Sequence, residues 1–274
     1  MFSRTLSKFT AATLFTLSAS FMAAQSANAT IVQFQTVMGD FSVNLYDKTT
    51  PKTVENFLAY VKSGAYTNSI IHRSVPGFIV QGGGYKYETK PPLVAVTQNA
   101  SVINEPVYAN RRGTIAMAKL GNQPNSATNQ WFFNLANNTA TLDPQNGGFT
   151  VFGEVTGNGM AILDAMAAVS IFNAGSPFDE LPLRNYTNTD VTNGVAITDK
   201  QLVMILGVVV LDANVDSAAN LTPAKTTYTP STGGGSGGDG SSNNSGGGGG
   251  GGGSMGWASI LMLLALLGLG RSRR

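Results

Sequence analysis

Eight consecutive glycines, Gly246 to Gly253, close a stretch that opens at Asn214 and is dominated by Ala, Thr, Ser, Asn and Gly. Such a stretch has too little apolar surface to repay the entropy of ordering it, so it reads as flexible coil, and a glycine-spacing motif inside it carries no meaning. Folding is thereby confined to residues 30–212, one domain of roughly 180 residues. A domain of that size buries a full core without staples. None are available, because the chain has no cysteine and so neither disulfides nor thiolate metal ligands.

The two ends read as targeting segments. Arg4 and Lys8 precede an apolar, small-residue stretch from Phe9 to Ala24, and Ala27-Asn28-Ala29 follows. That order predicts a secretory signal over residues 1–29 and a mature chain starting near Thr30. Past a linker spanning residues 213–254, Met255 to Gly270 is apolar and Arg271, Ser272, Arg273 and Arg274 follow. As a helix the apolar run is about 24 Å long, slightly short of the ~30 Å hydrocarbon core. With the arginines on the cytoplasmic side, the domain would face outward. Residues 255–274 are thus expected to form a hydrophobic helix with a basic end.

Within the domain, Phe41, Val43 and Leu45 alternate with Ser42 and Asn44 as a half-buried strand does. A helix follows: Thr50 is placed to cap it, Pro51 suits its first turn, Val54, Phe57, Leu58 and Val61 share a face, and Gly64 ends it. Strands are expected over 70–73, 78–81, 114–118, 130–135 and 202–211, and a second helix over 160–169. Many strands, two helices and no alternating strand–helix rhythm predict a mainly β antiparallel barrel or sandwich capped by helices. Residues 172–200 are polar and irregular and read as a long surface loop.

Composition excludes several chemistries. The formal charge of +2 and 12% charged residues give no electrostatic grip on nucleic acid. His72 is the single histidine and there is no cysteine, so a zinc site of the usual ligands cannot be assembled. His72 also lies beside no nucleophile-elbow motif, and no phosphate-binding loop is present. No cofactor and no metal are expected. What remains is the run Ile71-His72-Arg73-Ser74-Val75-Pro76-Gly77-Phe78-Ile79-Val80-Gln81-Gly82-Gly83. If it folds as a hairpin turning at Pro76-Gly77, alternation brings the Arg73 guanidinium and the Gln81 amide near an aromatic ring. Taken alone, that pattern also fits a core hairpin with an incidental surface arginine.

The wider pattern resembles a known family. His72-Arg73 with Pro76 to Gly83, Arg112-Gly113-Thr114-Ile115-Ala116-Met117-Ala118, Ser126-Ala127-Thr128-Asn129-Gln130-Trp131-Phe132-Phe133-Asn134 and Val151-Phe152-Gly153-Glu154-Val155 look like the cyclophilin-type peptidyl-prolyl cis-trans isomerases, especially their bacterial branch. With the helix start from Thr50 to Phe57, the resemblance covers residues 30–212. It implies an eight-stranded antiparallel barrel with a helix over each end.

By that resemblance Arg73 matches the catalytic arginine, and Phe78, Ile79, Phe132 and Leu142 match the pocket for the proline ring. Gln81 and Gln130 match polar groups beside it, Ala118 and the Lys119 backbone match the wall that holds the substrate chain, and His72 has a supporting place. Thr141 and Phe149 depart from the family, where Trp or Phe and His or Tyr are common. The missing indole bears on cyclosporin binding more than on catalysis. The implied partners are proline-containing segments of client proteins, met by a monomer. A binding module that grips such segments without turnover is the rival reading. The tail resembles the GlyGly-CTERM sorting signals of Gram-negative bacteria, which implies a rhomboid-type sorting protease as a second partner and release to the cell surface or medium. A plain periplasmic membrane anchor is the alternative.

Overall fold

The computed structural model describes residues 30–214 and 221–228. The expected signal, the apolar C-terminal helix and most of the linker lie outside the described residues. Among the described residues, no helix is long and apolar enough to cross a membrane.

A hairpin of β1 (Ile31–Thr36) and β2 (Phe41–Leu45) leads into α1 (Pro51–Lys62). Then come β3 (Ser69–Ile70), β4 (Arg73–Val75), β5 (Ile79–Gly82), β6 (Tyr85–Glu88) and β7 (Lys90–Ala95). β8 (Thr114–Met117) and β9 (Trp131–Asn134) precede α2 (Thr139–Leu142), β10 (Val151–Val155) and α3 (Gly159–Ala167). β11 (Ile171–Phe172), β12 (Leu181–Pro182), α4 (Asn188–Thr192) and β13 (Met204–Asp212) complete the order.

The main sheet runs β4-β5-β9-β8-β10-β2-β1-β13-β3-β6-β7, antiparallel throughout. It curls on itself because one bent stretch, residues 69–75, supplies β3 against β13 and β4 against β5; Ile71 N donates to Val203 O and His72 N to Gln81 O. The curl brings the sheet toward closure and leaves β4 and β7 as its edge strands. The mainly β antiparallel class is as expected. The element count is higher than the expected eight strands and two helices, with thirteen strands and four α-helices among the described residues. The surplus arises from the break at 71–72, the added β6–β7 hairpin, the β11–β12 ribbon and the short α2 and α4.

Two apolar clusters divide the sheet's two faces. Val32, Phe34, Val43, Val80, Ile115, Trp131, Phe133 and Phe152 fill the interior, joined by Val54, Phe57, Tyr60 and Val61 of α1 and by Leu163 and Met166 of α3. Each such side chain contributes about 1.5–3 kcal/mol when fully buried. Because side chains alternate along a strand, the intervening Ile79, Phe132, Ala116 and Val151 emerge on the other face and build a second cluster with Leu142, Phe149 and Tyr46. The Gly82-Gly83 run lets the backbone close on the indole: a Cβ on Gly82 would lie 2.6 Å from Trp131 Cη2, and Gly83 has φ +79°.

Three sequence expectations need correction. Thr50 does not cap α1 with its side chain; Glu105, far along the chain, accepts from Lys52 N (3.3 Å), Thr53 N (2.9 Å) and Thr53 Oγ1 (2.8 Å), placing a carboxylate at the positive end of the helix dipole. Residues 172–200 are not a plain loop. They hold β12 and α4, and Leu181, Leu183 and Tyr186 are buried with Ile70, Leu202 and Met204. Residues 221–228, expected as coil, lie extended on the domain: Ala109 N donates to Ala224 O (2.9 Å), Thr226 N to Val107 O (3.0 Å), and Thr226 Oγ1 to Asp143 Oδ2 (2.6 Å). Main-chain pairing of this kind needs no hydrophobic pattern.

Candidate active site

The hairpin of β4 and β5 turns at Pro76-Gly77, where Gly77 takes φ +72°, a conformation that favours glycine. Its register sets Arg73 opposite Gln81, and the next strands set Gln81 opposite Phe132 and Phe132 opposite Ala116. Four neighbouring strands therefore line up Arg73, Gln81, Phe132 and Ala116 in one row on the face carrying the second cluster. Opposed residues on adjacent strands lie about 5 Å apart at Cβ, so the row is a continuous surface strip with a cation at one end and apolar groups beyond it.

The expected pocket residues meet around that row. Ile79, Phe132, Leu142 and Phe149 are buried together, with Phe78 and Ala118 half-buried against them. The Phe132 and Phe149 rings meet edge-on at 5.7 Å. Phe149, the departure from the family pattern, thus adds an apolar wall. Thr141, the other departure, is exposed and itself adds no large side chain to the rim. Gln81 Nε2 donates to Gln130 Oε1 at 2.8 Å, which fixes both amides. The loop beside the pocket is tied by polar contacts: Asn138 Nδ2 donates to Phe78 O (2.9 Å) and to Asn134 Oδ1 (2.8 Å), and Asp143 Oδ1 accepts from Asn110 N (3.0 Å) and Nδ2 (2.9 Å).

Arg73 lies at the rim with a side chain 15% exposed. Its Nε donates to Glu180 Oε2 at 2.6 Å, and its Nη1 is buried with no hydrogen-bond partner. Glu180 escaped the sequence reading. The alternation of Leu181 and Leu183 with Pro182 and Arg184 was the available signal that a strand begins beside it.

Two residues sit differently from the rest. Lys119 turns its side chain inward, donating to Asn146 O (2.8 Å) and Gly148 O, with Nζ 4.9 Å from the Phe149 ring centroid. Burial lowers its pKa to about 8. Its ammonium therefore braces the 146–149 turn behind the pocket. The neighbouring Ala118 N–H is already given to Gln130 O at 2.9 Å. His72 is 1% exposed and meets the Tyr85 ring edge-on at 5.1 Å. Desolvation, then the Arg73 charge, lower its pKa to about 3, against a smaller opposing contribution from Gln130. Neither ring nitrogen has a hydrogen bond of good geometry. His72 is therefore neutral at ordinary pH, packed against Tyr85 next to Arg73.

The profile of a family described as "Cyclophilin type peptidyl-prolyl cis-trans isomerase/CLD" matches residues 31–188. A peptidyl-prolyl cis-trans isomerase of Acinetobacter baylyi is 38% identical over 141 residues, covering 51% of this chain and 73% of that protein. Peptidyl-prolyl cis-trans isomerase B of Escherichia coli is 36% identical over 154 residues, covering 53% of this chain and 88% of that protein. A crystal structure of a cyclophilin-type isomerase of Cryptosporidium parvum aligns with TM-score 0.47 at 24% identity, over 67% of this chain and 98% of that one.

Proposed function

Because the chain belongs to the cyclophilin-type peptidyl-prolyl cis-trans isomerase family and is a peptidyl-prolyl cis-trans isomerase, we propose that Arg73 is its catalytic group and that its substrates are X-Pro bonds of exported proteins, whose folding it assists. The observation that carries the site assignment is the row of Arg73, Gln81 and Phe132 across three paired strands.

The reaction's energetics suit such a site. Amide resonance sets a barrier of about 18–20 kcal/mol, and the uncatalysed step takes about 10–100 s. An ordinary turnover of about 1 to 10³ s⁻¹ therefore requires roughly 10- to 10⁵-fold acceleration, or about 1.4–7 kcal/mol. No covalent intermediate is needed for that. As the bond twists, the prolyl nitrogen loses conjugation and becomes a better acceptor. A fixed guanidinium donor then stabilises the twisted state more than either planar state. The Arg73 guanidinium, held through Nε by Glu180 at the end of the row, is such a donor. The ring is taken up by Phe78, Ile79, Phe132, Leu142 and Phe149 through burial, while Gln81, paired with Gln130, and the Ala118-Lys119 wall hold the flanking peptide so that only one side turns.

Export is supported by Arg4, Lys8, the apolar stretch after them and Ala27-Asn28-Ala29, and the Gly-rich tail with its terminal arginines supports handling by a rhomboid-type protease. Mass spectrometry of the extracellular protein tests the tail: a C-terminus short of Met255 is expected, and an intact Arg274 would contradict processing. A protease-coupled isomerisation assay on an X-Pro peptide tests the site. Arg73→Ala is expected to lose most of kcat/KM while staying folded, and wild-type activity in that variant would refute the assignment.

A further inference from the structure

Glu180 lies 107 residues from Arg73 in sequence, and the two meet because the β11–β12 ribbon, anchored by Leu181 and Leu183 against Ile70 and Met204, lies along the free edge of β4. Ser74 N donates to Glu180 O at 2.9 Å, which continues the pairing beyond β4. The ribbon is itself well held. Phe172 pairs with Leu181 and Ile171 with Pro182, Leu183 N donates to Ser170 O, Leu181 and Leu183 are 1% exposed, and the Phe178 ring meets Tyr85 edge-on at 4.7 Å. The main chain at Glu180 is therefore fixed on both sides, and its carboxylate reaches Arg73 from a rigid base.

That rigidity matters for what the contact does. An ion pair between two mobile surface chains is worth little, because ordering both offsets the attraction. Here the Arg73 side chain is 15% exposed and the Glu180 side chain 41% exposed, and only the end of Glu180 has freedom left to lose. The carboxylate takes Nε and leaves Nη1 unpartnered. A guanidinium is planar, so fixing one N–H direction fixes them all. Phe132, two strands away in the same row, marks where the proline ring would rest.

Resting on the assignment of Arg73 as the catalytic group, we propose that Glu180 is a positioning residue for the isomerase reaction, holding the Arg73 guanidinium by Nε so that its remaining N–H groups keep one orientation toward the twisting bond. The ribbon of residues 171–182 is then a support for the catalytic group as well as an edge cover. A side chain that only positions a donor acts in the twisted state, so its loss appears in kcat more than in KM.

The test uses the purified protein with Glu180→Ala, Glu180→Gln, Arg73→Ala and the double variant Arg73→Ala/Glu180→Ala, with kcat and KM taken from isomerisation of one X-Pro peptide. Thermal melting checks folding; the Ser74 N to Glu180 O bond is a main-chain contact that needs neither substituted side chain. Glu180→Ala is expected to lower kcat about tenfold, equal to about 1.4 kcal/mol, with KM within about twofold. Glu180→Gln is expected to recover to within about threefold of the wild type, because an amide oxygen still accepts from Nε. Adding Glu180→Ala to Arg73→Ala is expected to change nothing. The proposal is overturned if Glu180→Ala matches the wild type while Arg73→Ala is inactive, if Glu180→Gln is as slow as Glu180→Ala, or if the loss persists in the Arg73→Ala background. Full activity in Arg73→Ala alone would instead remove the assignment of Arg73, and this role with it.

Discussion

Lowering the pH from 7 to 5 titrates one histidine in the unfolded chain and none in the folded one, because His72 is the single histidine. Its folded pKa is lowered from 6.5 to about 3, first by desolvation and then by the Arg73 charge. The sign follows from proton counting. Below pH 6.5 the unfolded chain binds a proton that the folded protein refuses, so stability falls as pH falls, at up to about 1.4 kcal/mol per pH unit, until the folded pKa is reached. Between pH 7 and pH 5 this amounts to roughly 2 kcal/mol, a fall in melting temperature of roughly 4–8 °C for a domain of this size. Asp164, held below its usual 3.8 mainly by its hydrogen bond with Arg112, changes charge outside this window. Chemical denaturation at pH 7, 6 and 5 measures the slope, and His72→Gln should flatten it. The imidazole proton resonance, being single, should not move between pH 7 and 5 in the folded protein. A midpoint near 6.5 in that titration, or equal stability at pH 7 and 5, would refute the reasoning.

Three further outcomes are expected. Gly82→Ala should destabilise by about 1–3 kcal/mol in thermal or denaturant unfolding, because its Cβ would stand 2.6 Å from Trp131 Cη2; an unchanged midpoint would contradict the tight packing. Thr226→Val should cost about 1 kcal/mol and hasten proteolysis within residues 221–228, since it removes the hydroxyl donated to the buried Asp143. Arg112→Ala should change stability by no more than about 1 kcal/mol and in a salt-sensitive way, because its bidentate pair with Asp164 at 2.9 and 2.6 Å is about half exposed.

How far the sequence could lead depended on the range of the physics involved. The i, i+3, i+4 spacing of α1 is a local property, and Val54, Phe57 and Val61 are buried as that spacing required, with Gly64 at φ +70° just past the helix end. The Pro76-Gly77 turn likewise fixed the β4–β5 register within a few residues, and with it the neighbourhood of Arg73 and Gln81. Contacts made across long separations left no such trace. Glu105 caps α1 across 52 residues and Glu180 reaches Arg73 across 107; nothing in the spacing of either glutamate announces its partner. Lys119 breaks the rule that lysines stay out in solvent, since two carbonyls and a ring face receive its ammonium. Residues 221–228 pair mainly through the main chain, to which side-chain patterns are blind.

The role of Arg73 is tested by kcat/KM for one X-Pro peptide in the wild type, Arg73→Lys and Arg73→Ala, each shown to be folded by its melting curve. A lysine keeps the charge but lacks the planar fork that Nε and Nη1 supply. Both variants are expected to lose at least about tenfold, equal to about 1.4 kcal/mol of twisted-state stabilisation, with Arg73→Lys no better than partly active. Isomerase activity at the wild-type level in folded Arg73→Ala would contradict that role.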